Sequence, residues 1–204
     1  MNLTKYKALF ILVTAVLALL VASPALQRVL VYPQTQFFTE LSLLSSEHTA
    51  ENYPYNITTG ENYTVFLQIA NQLGACAYYQ VEIKFRNETQ SAPDSFNQTS
   101  SSLPSLYNLT AFVANKESLE ISVNFAFDFN INVLQANFNY LQLNGETLNL
   151  QGQSSSWDPQ TNQFYGNLIF ELWIYNSTIN GFQYNDRFVD LKFNMTSTNT
   201  SFVV

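Results

Sequence analysis

The feature that most constrains this chain is a strict period of two. Leu119, Ile121, Val123, Phe125, Phe127 and Phe129 fall on one face of an extended run, and Glu120, Ser122, Asn124 and Asp128 fall on the other. Successive side chains of a strand point to opposite sides, so the run reads as a strand with one buried and one wet face. The period recurs. Tyr63, Val65, Leu67 and Ile69 alternate with Thr64, Phe66, Gln68 and Ala70, and Ala77, Tyr79, Val81, Ile83 and Phe85 alternate with Tyr78, Gln80, Glu82 and Lys84. The 71–74 stretch between these runs reads as a turn, which makes them a hairpin. Residues 164–175 are apolar on both faces, as in a strand at a sheet centre or beneath a second layer. In 188–195, Val189, Leu191, Phe193 and Met195 face one way. Asn144-Gly145 is a type I′ turn signal joining 140–143 to 147–150. Residues 131–143 read as a strand in their second half, although Leu134, Phe138 and Leu141 also have helical spacing. The polar stretch 86–106, with Pro93 and Pro104, reads as a long surface loop.

Seven to nine strands, polar loops and no amphipathic helix predict an all-β body, an antiparallel immunoglobulin-like β-sandwich over 37–196. Seventeen Phe and twelve Tyr give that body an aromatic core. The single cysteine, Cys76, has no internal disulfide partner, so packing must hold the fold, and Cys76 is expected to pack as a small hydrophobe.

Ahead of the body lies a segment of another kind. Residues 8–22 carry no charge, and Lys5 and Lys7 precede them. Continued through Leu26, the run reaches about nineteen residues, roughly what a bilayer core requires. Residues 1–27 are therefore read as one N-terminal transmembrane helix in contact with lipid, 28–36 as a short spacer and 197–204 as a polar tail. The lysines place the N-terminus in the cytoplasm and the body outside the cell membrane. The alternative is a signal peptide, for which Ser23-Pro24-Ala25 offers a small-residue cleavage site.

An outside location gives meaning to eight Asn-X-Ser/Thr sequons, at Asn56, Asn62, Asn87, Asn97, Asn108, Asn176, Asn194 and Asn199, which are the predicted N-glycosylation sites. Charged residues make up 11% of the chain, against roughly 25% in ordinary soluble domains, and the net charge is −7. An acidic surface poor in Lys and Arg argues against nucleic acid as a partner. A surface of amides and hydroxyls also suits an acidic external medium, because those groups do not titrate there.

The residues that could carry chemistry are few. His48, beside Glu47, reads as an exposed loop histidine and lacks companions for a metal site. Asp158, Glu171, Asp186 and Asp190 could form a glycosidase-type carboxylate pair, but their spacing places no two together. Trp157-Asp158-Pro159 reads as an Asp-Pro turn with too few carboxylates for calcium. No catalytic, metal or cofactor residue is assigned, no cofactor is expected, and the chain is expected not to be an enzyme. Glu171, Arg187, Asp190 and Lys192, scarce charges near the C-terminus, read as cross-strand pairs or as a docking patch for another membrane subunit.

The segment Glu51-Asn-Tyr-Pro-Tyr-Asn-Ile-Thr-Thr-Gly60-Glu-Asn-Tyr-Thr-Val65, followed by Ile69-Ala-Asn71 and Tyr79-Gln-Val-Glu-Ile83, resembles the archaeal "domain of unknown function 1616" family. Phe170-Glu-Leu-Trp-Ile-Tyr-Asn176 and Phe182-Gln-Tyr-Asn-Asp-Arg187-Phe-Val189 also resemble it, so the likeness runs over about 36–196. The resemblance implies a membrane-anchored archaeal surface sandwich with no known reaction. It makes Gly60 a turn glycine and Asn71 a residue that closes a strand end. The expected function is that of a glycosylated, single-pass surface protein working by contact with a protein partner, as an accessory subunit of a membrane complex or an envelope component. The alternative is a module that binds carbohydrate or a small solute, with Trp157 and Trp173 available to stack on sugars.

Overall fold

The computed structural model describes residues 3–30 and 37–196. Asn199, the 197–204 tail and residues 31–36 of the spacer lie outside the described residues. The chain divides into two units, Met1–Phe37 and Phe38–Val204.

The first unit is a helix, α1 (Leu3–Leu30). Its Tyr6–Pro24 stretch is long and apolar enough to cross a membrane. The side chains described there are almost all exposed, and the Thr14 hydroxyl donates to the Phe10 carbonyl at 2.8 Å, so that hydroxyl is satisfied within the helix. Such a helix fits a single-pass anchor in contact with lipid. A signal sequence has the same length and composition.

The second unit is all-β, as the period of two predicts. Its strands are β1 (Thr39–Leu44), β2 (Asn56–Thr58), β3 (Tyr63–Asn71), β4 (Ala77–Arg86), β5 (Tyr107–Val113), β6 (Ser118–Ile131), β7 (Gln135–Leu143), β8 (Glu146–Asn149), β9 (Ser154–Asp158), β10 (Gln163–Asn176) and β11 (Gly181–Thr196). One layer runs β1-β3-β6-β7, with β8 and β9 both on the far side of β7. The other runs β5-β4-β10-β11-β2. Pairing is antiparallel except between β11 and β2. β9 also pairs with β10 through Gln163–Asp158 and Phe164–Trp157, which stitches the layers into one curled sheet. The expected immunoglobulin-like sandwich of seven to nine strands is corrected on both counts. Among the described residues eleven strands form a continuous sheet folded onto itself, because β9 belongs to both layers.

The expected hairpin of 63–70 with 77–85 is also corrected. β3 pairs with β1 and β6 in one layer, and β4 with β5 and β10 in the other. The connection crosses between layers, and buried Asn71 makes the crossing possible. Its Nδ2 donates to the Ala75 and Val113 carbonyls, both at 2.8 Å, and its Oδ1 accepts the Leu73 N–H at 3.0 Å. Side-chain bonds thus replace the ladder where the backbone leaves it. Cys76, at the end of this crossing, is exposed rather than packed, since no strand covers the turn.

The facing layers bury an aromatic core. Phe85 meets Phe138 at 4.6 Å between ring centroids, and Phe127 meets Phe193 at 5.1 Å. Thr39 and Tyr79 join the layers by a hydroxyl–hydroxyl bond of 3.0 Å. In β7 the buried set changes parity, from Ala136 and Phe138 to Leu141 and Leu143. A bulge causes this: Asp128 faces Tyr140 and Phe129 faces Phe138, so Asn139 is the extra residue. Asn144 and Gly145 turn with φ of 50° and 87°, as a type I′ hairpin demands.

Gly166 on β10 tests this packing. A Cβ there would run into the ring of Phe193 on β11. Gly166→Ala should destabilise the body by about 1–3 kcal/mol, read from urea midpoints of the two proteins. An unchanged midpoint would contradict the close approach of β10 to Phe193.

Candidate functional site

The outward face of the β5-β4-β10-β11 layer carries the unusual chemistry. On β4 the residues alternating with core Tyr79, Val81, Ile83 and Phe85 are Gln80, Glu82, Lys84 and Arg86. On β10 they are Tyr165, Asn167, Ile169, Glu171, Trp173 and Tyr175. A solvated face would expose them, yet Lys84, Asn167, Ile169 and Glu171 are buried. The 87–106 connection, expected to be a surface loop, passes over them and makes a partial third layer.

Glu171 anchors that cover. Its Oε1 accepts the Ser101 N–H at 2.8 Å, and its Oε2 lies 2.7 Å from Lys84 Nζ. Lys84 Nζ also donates to the Ser101 carbonyl at 3.3 Å and lies 3.2 Å from Glu82 Oε2. Glu82 and Glu171 are direct cross-strand partners. Like charges so placed repel, and Lys84 lies between them as the common counter-ion. The Trp173 ring lies 5.9 Å from Lys84 Nζ and packs edge-on against Tyr184 at 5.7 Å. Burial, then the charges of Glu171 and Asp186, push the Tyr184 phenol up to about 12.

At one end of the face, beyond this cover, four aromatic side chains form a row across four strands. Phe112 stacks on Tyr78 at 4.2 Å, nearly parallel; Tyr78 lies 6.2 Å from Tyr175, and Tyr175 lies 5.6 Å from Phe182. Phe112 is 72% exposed and Tyr175 39%, and Ile179, in the turn after β10, is 60% exposed. At the opposite end is a cleft of about 340 Å³ walled by Arg86, Glu88, Ser156, Asp158, Thr161, Gln163 and Tyr165.

The sequence-expected site residues are dispersed. Glu171 is not on the surface, so it takes no part in a docking patch. Arg187 is exposed beside a bulge in β11 and donates to the Thr39 carbonyl at 3.3 Å. Asp190 accepts from Asn167 at 2.9 Å and lies 3.8 Å from Lys192. His48 stacks on Phe66 at 4.1 Å and its Nδ1 contacts the Glu120 carboxylate. Among the described residues no three His, Cys, Asp or Glu side chains gather to hold a metal ion. Of the sequons, Asn56, Asn62, Asn97 and Asn108 are exposed. Asn87, Asn176 and Asn194 are half-buried, with Nδ2 donating to Ser154, Gln183 and Asn56 respectively.

The profile of a family described as a domain of unknown function (DUF1616) matches residues 33–147, more than half of the chain. The chain belongs to the DUF1616 family. The match ends within β8, so β9–β11 lie beyond it in this DUF1616 protein. The sequence matches no curated protein. Among solved structures it is similar to beta-glucosidase from Listeria innocua in complex with glucose, at a TM-score of 0.36 and 10% identity over 80% of this chain. It is similar also to a second structure of the Listeria innocua beta-glucosidase, at a TM-score of 0.35 and 8% identity over 80% of this chain. The chain spans 17% of the length of these structures. The expectation that the chain is not an enzyme is corrected here: the structures it matches are those of an enzyme, which overturns the flat negative. At this TM-score they assign no activity in its place.

Two measurements test the face. Lys84→Met leaves two opposed carboxylates, one fully buried, and should cost about 3–5 kcal/mol. Adding Glu171→Gln keeps an acceptor for the Ser101 N–H, removes one charge, and should restore most of that loss in a denaturant melt; no recovery would contradict the role of Lys84. The second concerns acid. The Asn97 N–H and carboxamide hold Asp94 below the usual carboxylate range, and the Thr161 hydroxyl and Gln160 N–H do the same for Asp158. A depressed folded pKa contributes stability above the unfolded value, lost as pH falls through the folded one. Carboxyl-carbon NMR should show both groups titrating below about 3.9 in a folded body. Titration of either group at or above the ordinary carboxylate value would contradict this.

Proposed function

We propose that this DUF1616 protein is a membrane-anchored, N-glycosylated surface protein that works by contact, as an accessory subunit of a membrane complex or an envelope component, with the aromatic row as its contact face. The observation that carries the reading is the row itself. Phe112, Tyr78, Tyr175 and Phe182 hold one another by cross-strand stacking, so they are ordered before any partner arrives. Rigid, exposed aromatic clusters on a surface supply the anchors from which interfaces draw most of their energy. Their neighbours on the same face, Gln80 and Thr110, are uncharged, so the partner surface is an apolar, uncharged one on another protein. Lys5 and Lys7 before the apolar stretch favour a cytoplasmic N-terminus and an external body, where the exposed sequons Asn56, Asn62, Asn97 and Asn108 would be glycosylated. The archaeal setting implied by the family resemblance belongs to the same proposal.

The test is purification from native membranes in mild detergent, with crosslinking and mass spectrometry. A stoichiometric companion, crosslinked near 175–182, is expected. Phe112→Ser with Tyr175→Ser should release it while leaving the melting temperature within a few degrees, since both side chains are exposed. A protein that runs alone as a monomer would contradict the reading.

A further inference from the structure

The cleft at the other end of the face is built from polar groups fixed in place. Arg86 Nε donates to the Gln90 carbonyl at 2.6 Å and its Nη1 to the Tyr165 hydroxyl at 2.9 Å, and the guanidinium lies over the Tyr165 ring at 5.7 Å. Glu88 Oε1 accepts the Ser156 N–H at 2.9 Å and Oε2 accepts the Ser155 hydroxyl at 3.1 Å. Asp158 accepts from the Gln160 N–H at 2.8 Å and the Thr161 hydroxyl at 2.7 Å. Gln163 Oε1 accepts from the Tyr55 hydroxyl. These bonds orient the side chains without exhausting them. Arg86 Nη2, Gln163 Nε2 and the Tyr165 hydroxyl proton have no partner among the described residues, and each carboxylate oxygen retains acceptor capacity.

We infer that this cleft binds a neutral saccharide. It offers donors and acceptors together, and a hydroxyl both donates and accepts, so a ligand bearing several adjacent hydroxyls matches it. Two carboxylates against one guanidinium leave the lining net negative, which disfavours anionic sugars and phosphates. The volume of about 340 Å³ is at the small end of ligand pockets and suits one or two sugar rings. Ser156 also lines a second hollow, of about 660 Å³, with Val133, Leu134 and Trp157. Val133 is 80% exposed and Leu134 66%. A further ring would find there the exposed Val133 and Leu134, suited to a sugar's C–H face, beside the polar Asn132 and Gln135. Because the polar groups are already held, little ordering entropy opposes binding.

The test is calorimetric titration of the full chain, in detergent, with neutral mono- and disaccharides, alongside an array of neutral glycans. Saturable binding is expected. Gln163→Ala and Tyr165→Phe each remove one free donor and one internal acceptor, and should weaken binding about tenfold while lowering the melting temperature by no more than a few degrees. Binding of free sugars assigns the ligand to a small solute, and binding on the array alone assigns it to a glycan chain end. No saturable binding at millimolar concentration, binding indifferent to both variants, or preference for acidic sugars would overturn the inference.

Discussion

One lysine between two facing carboxylates governs the outer surface of this molecule. Glu82 and Glu171 oppose each other on β4 and β10, and the pairing is tolerable because Lys84 Nζ lies within 3.2 Å of one and 2.7 Å of the other. The same Glu171 fixes the Ser101 amide, so the charge cluster and the 87–106 cover form together. Burying charge is costly unless each partner is matched and hydrogen-bonded. Here the loop backbone supplies the remaining bonds. What the cover leaves open is then defined: an aromatic row at one end of the face and a polar cleft at the other.

That surface rests on a core held by packing alone. With one cysteine, and that one exposed, no disulfide contributes. The Phe85, Phe127, Phe138 and Phe193 cluster joins residues from β4, β6, β7 and β11, so both layers depend on the same rings. β9 closes the curl by pairing with β7 and β10 in turn, and its Ser156 and Asp158 help wall the cleft. The closure that completes the fold also positions a candidate binding site.

The strands were legible where one rule acted alone. β6 and β8 followed from alternation and from Asn144-Gly145, and the doubly apolar β10 followed from having layers on both sides. Legibility failed where a local feature cancelled the period. The bulge at Asn139 puts Phe138 and Leu141 on the same buried side at a spacing of three, which mimics a helix. The 71–74 stretch has the composition of a hairpin turn, and only the side-chain bonds of Asn71 reveal a crossing between layers. Glu171 looked like a surface charge because alternation says which face a residue takes and not what covers that face. The aromatic row was hidden for a related reason: Phe112, Tyr78, Tyr175 and Phe182 come from four strands, and register, not spacing, aligns them.

If the aromatic row is a contact face, a partner covers it in native membranes. Hydroxyl-radical footprinting of the protein in native membranes, set against the same protein purified in detergent, measures this directly. Phe112 and Tyr175 should be oxidised readily in detergent and protected in membranes, while Phe96, exposed in the 87–106 loop, should react equally in both. Equal oxidation of Phe112 and Tyr175 in the two preparations would contradict it.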